Sequence, residues 1–121
     1  MAIPLEVLLL RQRGVCCVVP EKVEQGWAEE TAHLLKALAD PTRLSMFSSL
    51  LRAGAEICVC DFTAVFNLSQ PTISHHMGKL RSAGLVSAQK RGIWSYYRVS
   101  PDLAPETLDV LRVIVASAPA A

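Results

Sequence analysis

Across residues 68–85, LSQPTISHHMGKLRSAGL, apolar Ile73, Met77 and Leu80 recur at i, i+4 and i+7, one side of a helical period. Thr72, His75, His76 and Lys79 keep the same spacing on another side. At about 100° per residue the centres of the two groups lie about 115° apart. One face can therefore dock on a core while the other presents hydroxyl, imidazole and ammonium groups. Ser69 or Gln70 can cap this helix, and Pro71 fits its first turn, where the missing N–H has no helical partner anyway.

The rest of the pattern places this helix in a frame. Residues 4–13 read as a short helix with Leu5, Leu8 and Leu9 on one side, and residues 14–20, GVCCVVP, break it and run extended. Residues 28–39 are helical, with Leu34, Leu35 and Leu38 facing inward. Asp40 caps and Pro41 starts a further helix, reaching about Arg52 with Leu44, Phe47, Leu50 and Leu51 on its apolar side and Gly54 ending it. Residues 57–60 form a connector. Asp61 then caps a brief helix bearing Phe62, Val65 and Phe66, which Asn67 closes. A short helix, a tight turn and a second amphipathic helix make a helix-turn-helix. After Gly84, residues 85–88 and 93–99 read as strands around Gln89, Lys90, Arg91 and Gly92, a hairpin with a charged tip placed as a wing. Pro105 opens a last helix that is apolar nearly all round and so expected to be buried, with a partner subunit as its cover. From Ser117 the chain is expected to fray. The fold class is mainly α with a small β-hairpin: one winged helix-turn-helix domain over residues 1–121, with an N-terminal segment (1–27), a winged-helix core (28–100), a dimerising helix (101–117) and a tail (118–121).

Charge sharpens this picture. The formal net charge is only +1, yet between Asp61 and Asp102 there is no acidic residue and there are five basic ones, Lys79, Arg81, Lys90, Arg91 and Arg98. Of twelve basic residues that leaves seven against all eleven acidic ones, a balance of −4 elsewhere. A positive block around the predicted reading helix is arranged to face something negative. The hydrophobic fraction of 51% in 121 residues agrees with a buried subunit interface. Residues 3–10, IPLEVLLL, lack a basic n-region and a small-residue cleavage pattern, and no stretch reaches the roughly 20 apolar residues of a membrane span, so a cytoplasmic protein is expected.

A helix in the major groove uses its N-terminal residues and outward face. Gln70 can reach adenine, Thr72 a thymine methyl, and His75 and His76 a base edge or phosphate. Ser69 can serve as cap alone or touch phosphate as well. Lys79 suits the backbone, and Lys90 and Arg91 would flank the minor groove with Gly92 permitting the turn. Trp94 and Tyr97 fit beneath the wing, Arg43 fits either a phosphate or an ion pair with Asp40, and His33 is structural or solvated.

Four cysteines fall in two pairs, Cys16 with Cys17 and Cys58 with Cys60. Thiolates select soft ions such as Cu(I), Zn, Cd or trivalent arsenic. Cys60, beside a helix N-terminus, is expected to deprotonate more readily than a free thiol, with Asp61 partly offsetting this. C-C and C-x-C are shorter than the C-x₂₋₄-C of structural zinc sites and are not the C-x-x-C of thiol oxidoreductases, which argues against an enzyme.

The stretches ALADPTRLSMFSSL (37–50), EICVCDF (56–62), LSQPTISHHMGKLRSAGLV (68–86) and KRGIWSYYRV (90–99) together resemble the ArsR/SmtB family of metal-responsive winged-helix repressors. The resemblance implies a homodimer, paired through terminal helices, whose two recognition helices read an inverted repeat in double-stranded operator DNA and let go when a metal or metalloid binds. It places Ser69, Gln70, Thr72, Ser74, His75 and His76 on the DNA-reading helix and Lys90 and Arg91 on the wing. Cys58 and Cys60 occupy its ELCVCD-type inducer motif. The arsenic-responsive archetype carries a further cysteine where this chain has Thr63. Cys16 and Cys17 stand where N-terminal cysteines complete the site in other members. The implied function is a repressor of an arsenic-resistance operon, released by arsenite or antimonite at one trigonal thiolate site per subunit formed from Cys16, Cys17 and Cys58, with Cys60 as a fourth or exchanging thiol. A cadmium or lead sensor using all four thiols, or a thiol redox sensor, remains as the alternative. The last helix lacks the histidines of the family's second metal site, and zinc or nickel sensing is discounted.

Overall fold

Asp40 and Pro41 set the first junction of the fold. Asp40 is extended, its carboxylate accepts the Arg43 amide at 2.9 Å, and Pro41 takes the first helical position. The helix α1 (Gln25–Leu38) stops there and α2 (Pro41–Ala53) begins. The Arg43 amide, and then the charge of its guanidinium, hold the Asp40 carboxyl below its ordinary range. The guanidinium's own hydrogen bond runs to the Ala37 carbonyl at 2.7 Å, so Arg43 ties off the end of α1 while its charge acts on Asp40. The computed structural model describes residues 18–119 and, before them, residues 2, 4–6 and 14. The expected helix over 4–13 therefore lies largely outside the described residues, as do residues 15–17 of the expected extended run, while residues 18–20 have no regular secondary structure.

Met46, Phe47 and Leu50 from α2 meet Val59, Phe62, Ile73, Met77 and Leu80 in one fully buried core. Gly54 ends α2 in the left-handed conformation (φ 61°), its N–H bonded to the Leu50 carbonyl at 3.1 Å. Two expectations on these helices are corrected. Leu35 is 53% exposed and Leu44 is also exposed, because a single chain leaves one flank of α1 and α2 uncovered.

The expected connector over 57–60 is in fact a strand running into a helix. The strand β1 (Ile57–Cys58) pairs with β3 (Trp94–Val99), which also pairs with β2 (Val86–Arg91), giving an antiparallel sheet in the order β1-β3-β2. The helix α3 (Val59–Phe66) follows immediately. Its N-cap is Cys58, whose side chain makes no capping hydrogen bond, and Asp61 lies in its first turn instead of capping it. Asn67 leaves α3 in the left-handed conformation (φ 52°), and Ser69 caps α4 (Gln70–Ser82) by accepting the Thr72 amide at 3.3 Å.

The C-terminus of α4 closes with a Schellman pattern. Gly84 (φ 80°) donates to the Arg81 carbonyl at 3.0 Å, and Leu85 donates to the Leu80 carbonyl at 3.0 Å. The Leu85 carbonyl then accepts the Ser100 amide at 2.9 Å, so the residue that ends α4 also opens the hairpin.

The last helix, α5 (Pro105–Ala116), is only partly covered by its own chain. Leu111 and Val115 face the core, whereas Val110, Val113 (73%) and Ile114 are exposed. Residues 115–118 are tied to α2, with Arg52 Nη2 donating to the Val115 carbonyl at 3.2 Å and the Ala118 carbonyl at 2.6 Å. A cation there adds a donor to the terminal carbonyls, that of Val115 also accepting the Ala118 amide at 3.1 Å, and opposes the negative end of the helix dipole. Arg52→Ala is expected to lower stability by about 1 kcal/mol, read as a urea midpoint shift, with faster amide exchange confined to the last turn of α5. Among the described residues no helix is long and apolar enough to cross a membrane.

Candidate DNA-reading face and thiol pair

Because Ile73, Met77 and Leu80 are wholly buried, the opposite side of α4 is fixed in orientation. His75 and Lys79 are exposed on it, Ser69, Gln70 and Ser74 are exposed around the N-terminal turns, and Thr72 is half-buried with its hydroxyl 2.9 Å from that of Ser69. The structure thus leaves these six reachable from outside, with Thr72 and Ser74 on opposite flanks of the helix. His76 departs from the expectation. It is half-buried, its Nδ1 is shut off from water without a partner, and its ring stands edge-on 6.0 Å from that of His75. Only its outer portion remains for a ligand, because residue 76 turns toward the α2 side of the helix, close enough for its charge to act on Asp40.

The wing also differs from the expected hairpin. Arg91 pairs in register with Trp94, so Lys90 and Arg91 are the last residues of β2 and the turn itself is Gly92 and Ile93. Gly92 adopts φ 64°, as a two-residue hairpin turn requires, which shifts the tip one step along the chain. Lys90 is exposed, and Ile93 at the apex is 78% exposed. Arg91 is not free: its guanidinium lies 2.9 Å from Glu56 Oε2 and 4.7 Å above the Tyr96 ring. Tyr97 is buried beneath the wing as expected, but Trp94 remains exposed. The sequence reading missed Glu56 and Ile93. A two-residue strand leaves no periodicity to announce Glu56, while a glycine followed by an isolated isoleucine between strands could have marked the tip.

The second feature lies at the start of α3. Cys58 is 7% exposed and Cys60 exposed, yet their sulfurs are 2.8 Å apart, with Cys60 donating to Cys58. That contact, followed by partial burial and the Asp61 charge, raises the Cys60 pKa, and this overturns the expectation of a readily ionised thiol. The helix N-terminus is outweighed by a neighbouring sulfur that keeps the proton in place. Thr63, one turn on, donates its hydroxyl to the Cys60 carbonyl at 2.6 Å. The two sulfurs are closer than the roughly 3.8 Å that a tetrahedral ion with bonds of about 2.3 Å would impose, so capture of an ion opens the pair. Among the described residues no third histidine, cysteine or carboxylate completes a ligand set. Cys16 and Cys17, expected to supply it, lie outside the described residues.

Residues 40–88 match the family described as bacterial regulatory protein, arsR family. An uncharacterized HTH-type transcriptional regulator of Methanocaldococcus jannaschii is 40% identical over 83 residues, 69% of this chain and 92% of that protein. The arsenical resistance operon repressor of Escherichia coli is 46% identical over 70 residues, 58% of this chain and 59% of that protein. Among solved structures, HlyU from Vibrio cholerae superposes with a TM-score of 0.65 at 29% identity, over 76% of this chain and 94% of that one.

Proposed function

The chain belongs to the arsR family of bacterial regulatory proteins, and we propose that within it this protein represses an arsenic-resistance operon and is released from operator DNA by arsenite or antimonite. A winged helix-turn-helix and DNA-binding transcriptional regulation, not catalysis, come with that membership. The observation that carries the inducer reading is the pair of sulfurs 2.8 Å apart at the N-terminus of α3, directly ahead of the reading helix. The likeness to an arsenical resistance operon repressor supports it.

In this reading Cys58, Cys16 and Cys17 make one trigonal site per subunit, with Cys60 as a fourth or exchanging thiol. Residues 1–121 act as one winged-helix unit that pairs into a homodimer through its terminal helices. The uncovered row of Val110, Val113 and Ile114 on α5 and Trp27 and Leu35 on α1 supports this, since an apolar flank of that extent is a subunit contact before it is a solvated surface. Ser69, Gln70, Thr72, Ser74, His75 and the outer edge of His76 read bases and phosphates, and Lys79, Lys90 and Arg91 contact the backbone of an inverted repeat. Release is linkage: an ion that opens the Cys58–Cys60 pair and cross-links residues 16–17 to α3 favours a geometry in which the two reading helices miss their half-sites.

The proton balance separates the candidate inducers. Arsenous acid condenses with three thiols to give three As–S bonds and three waters, each thiol proton leaving on a departing hydroxide, so no net proton is released. A divalent cadmium or lead ion displaces thiol protons into solution, and the proton that Cys60 retains makes that cost larger. Arsenite is therefore expected to release DNA with a midpoint nearly constant between about pH 6 and 8, measured by fluorescence anisotropy with a duplex selected from a random pool. A midpoint that falls steeply with rising pH, or release by cadmium alone, overturns the arsenite reading. The same sulfur contact favours redox sensing as a second reading, and arsenite release under a phosphine reductant excludes it.

A further inference from the structure

One face of the sheet carries a row of groups that runs from buried Cys58 to the exposed wing. Cys58 stands opposite Tyr96 in one ladder and Gln89 opposite Tyr96 in the other, so these three side chains share a face, with Arg91 two residues beyond Gln89. Glu56 lies two residues before Cys58. Its Oε1 accepts Arg91 Nη2 at 3.1 Å, its Oε2 lies 2.9 Å from the same nitrogen as an ion pair without a hydrogen bond, that nitrogen is 3.2 Å from Gln89 Oε1, and the guanidinium covers the Tyr96 ring. The Glu56 side chain is 28% exposed against 51% for Arg91, and its Oε2 has no access to water. Among the described residues Arg91 is the one ion-pair partner of this carboxylate. A half-buried carboxylate left without its cation is costly, so the guanidinium cannot move to a phosphate freely.

We propose that Glu56 is a positioning residue that holds Arg91 against the sheet and withholds that cation from the DNA backbone, tying the strand of Cys58 to the state of the wing. This rests on the DNA-binding reading above. Arg91 is then shared between two anions, the Glu56 carboxylate and a phosphate, and the wild-type complex neutralises less DNA charge than its count of basic residues suggests.

The test is a pair of variants and their combination, each first checked for a wild-type thermal unfolding curve. Glu56→Gln keeps the side-chain shape and an acceptor but removes the charge. It is expected to tighten binding to the selected duplex several-fold and to steepen the slope of log affinity against log salt by up to about 0.9 per subunit, the part of the Arg91 phosphate contact that Glu56 withholds. Arg91→Gln is expected to weaken binding, and adding Glu56→Gln to it should change neither affinity nor slope. An unchanged slope in Glu56→Gln overturns the proposal. So does an equal effect in both backgrounds, which would make Glu56 a distant field charge acting on the whole complex. Wild-type protein that binds DNA without salt dependence overturns the DNA-binding reading itself and this proposal with it, a result distinct from either variant outcome.

Discussion

Cys58→Ser is expected to leave the protein folded and able to bind operator DNA, and to abolish its release by arsenite. The sulfur of Cys58 is the buried member of the pair and belongs to the core cluster, so it is fixed where the exposed Cys60 can rearrange around it. Removing it takes away the anchor of the site and leaves α4 untouched, since no residue of that helix depends on it for a cap or hydrogen bond. The loss is the whole coupling between inducer and DNA, about 1–3 kcal/mol in such linked systems, or roughly 5- to 150-fold in DNA affinity at saturating arsenite. A serine hydroxyl in that position is buried with a weaker partner and lowers stability by about 1–2 kcal/mol. Cys58→Ala provides the matched control, because cysteine packs as a small hydrophobe and alanine buries no polar atom. Anisotropy titrations with and without arsenite, beside urea unfolding, read both effects. Retained release in both variants sinks the proposed site.

Met77→Ala is expected to have the largest effect on stability, about 2–5 kcal/mol against a total of about 5–15 for a domain of this kind. Met77 is wholly buried between Ile73 and Leu80 on the same face of α4, and its side chain spans the space between that helix and the core. The cavity left behind loosens the helix that must hold its outer side chains in register with base edges, so DNA affinity falls even under conditions where most molecules remain folded. Urea unfolding measures the first loss and anisotropy at low temperature the second. His75→Ala, on the exposed side of the same helix, should shift stability by less than about 0.5 kcal/mol while still weakening DNA binding. Equal unfolding midpoints for Met77→Ala and wild type would contradict the packing described.

How much of this was legible in the sequence follows from how local each determinant is. Asp40 with Pro41, Gly54, Asn67, Ser69 and Gly84 are caps and turns set by a residue's own backbone preference and its near neighbours, and each stands where the pattern placed it. Ile73, Met77 and Leu80 were legible because three buried positions at helical spacing leave only one inward face. Leu35 and Leu44 were misread as facing inward within the chain, because apolar periodicity marks a face to be buried and says nothing about which surface covers it. The two residues of β1 were too few to show alternation, and their pairing with β3 depends on a partner about forty positions away in the chain. The Cys60 proton escaped for the same reason. A helix N-terminus can be inferred from spacing, but a sulfur at 2.8 Å belongs to the folded geometry alone.

Leu85 bears on how this protein could be redesigned. Its amide closes α4 on Leu80 and its carbonyl holds Ser100 at the base of the hairpin, so the helix and the wing are two arms fastened at one wholly buried residue. Reading helix and wing then behave as a single graft: moved together, they keep their mutual angle, and moved separately, neither has a defined end. If the proposed reading face holds, retargeting to a new operator would be done on Gln70, Ser74 and His75, which are exposed, with residues 80–85 left as they are.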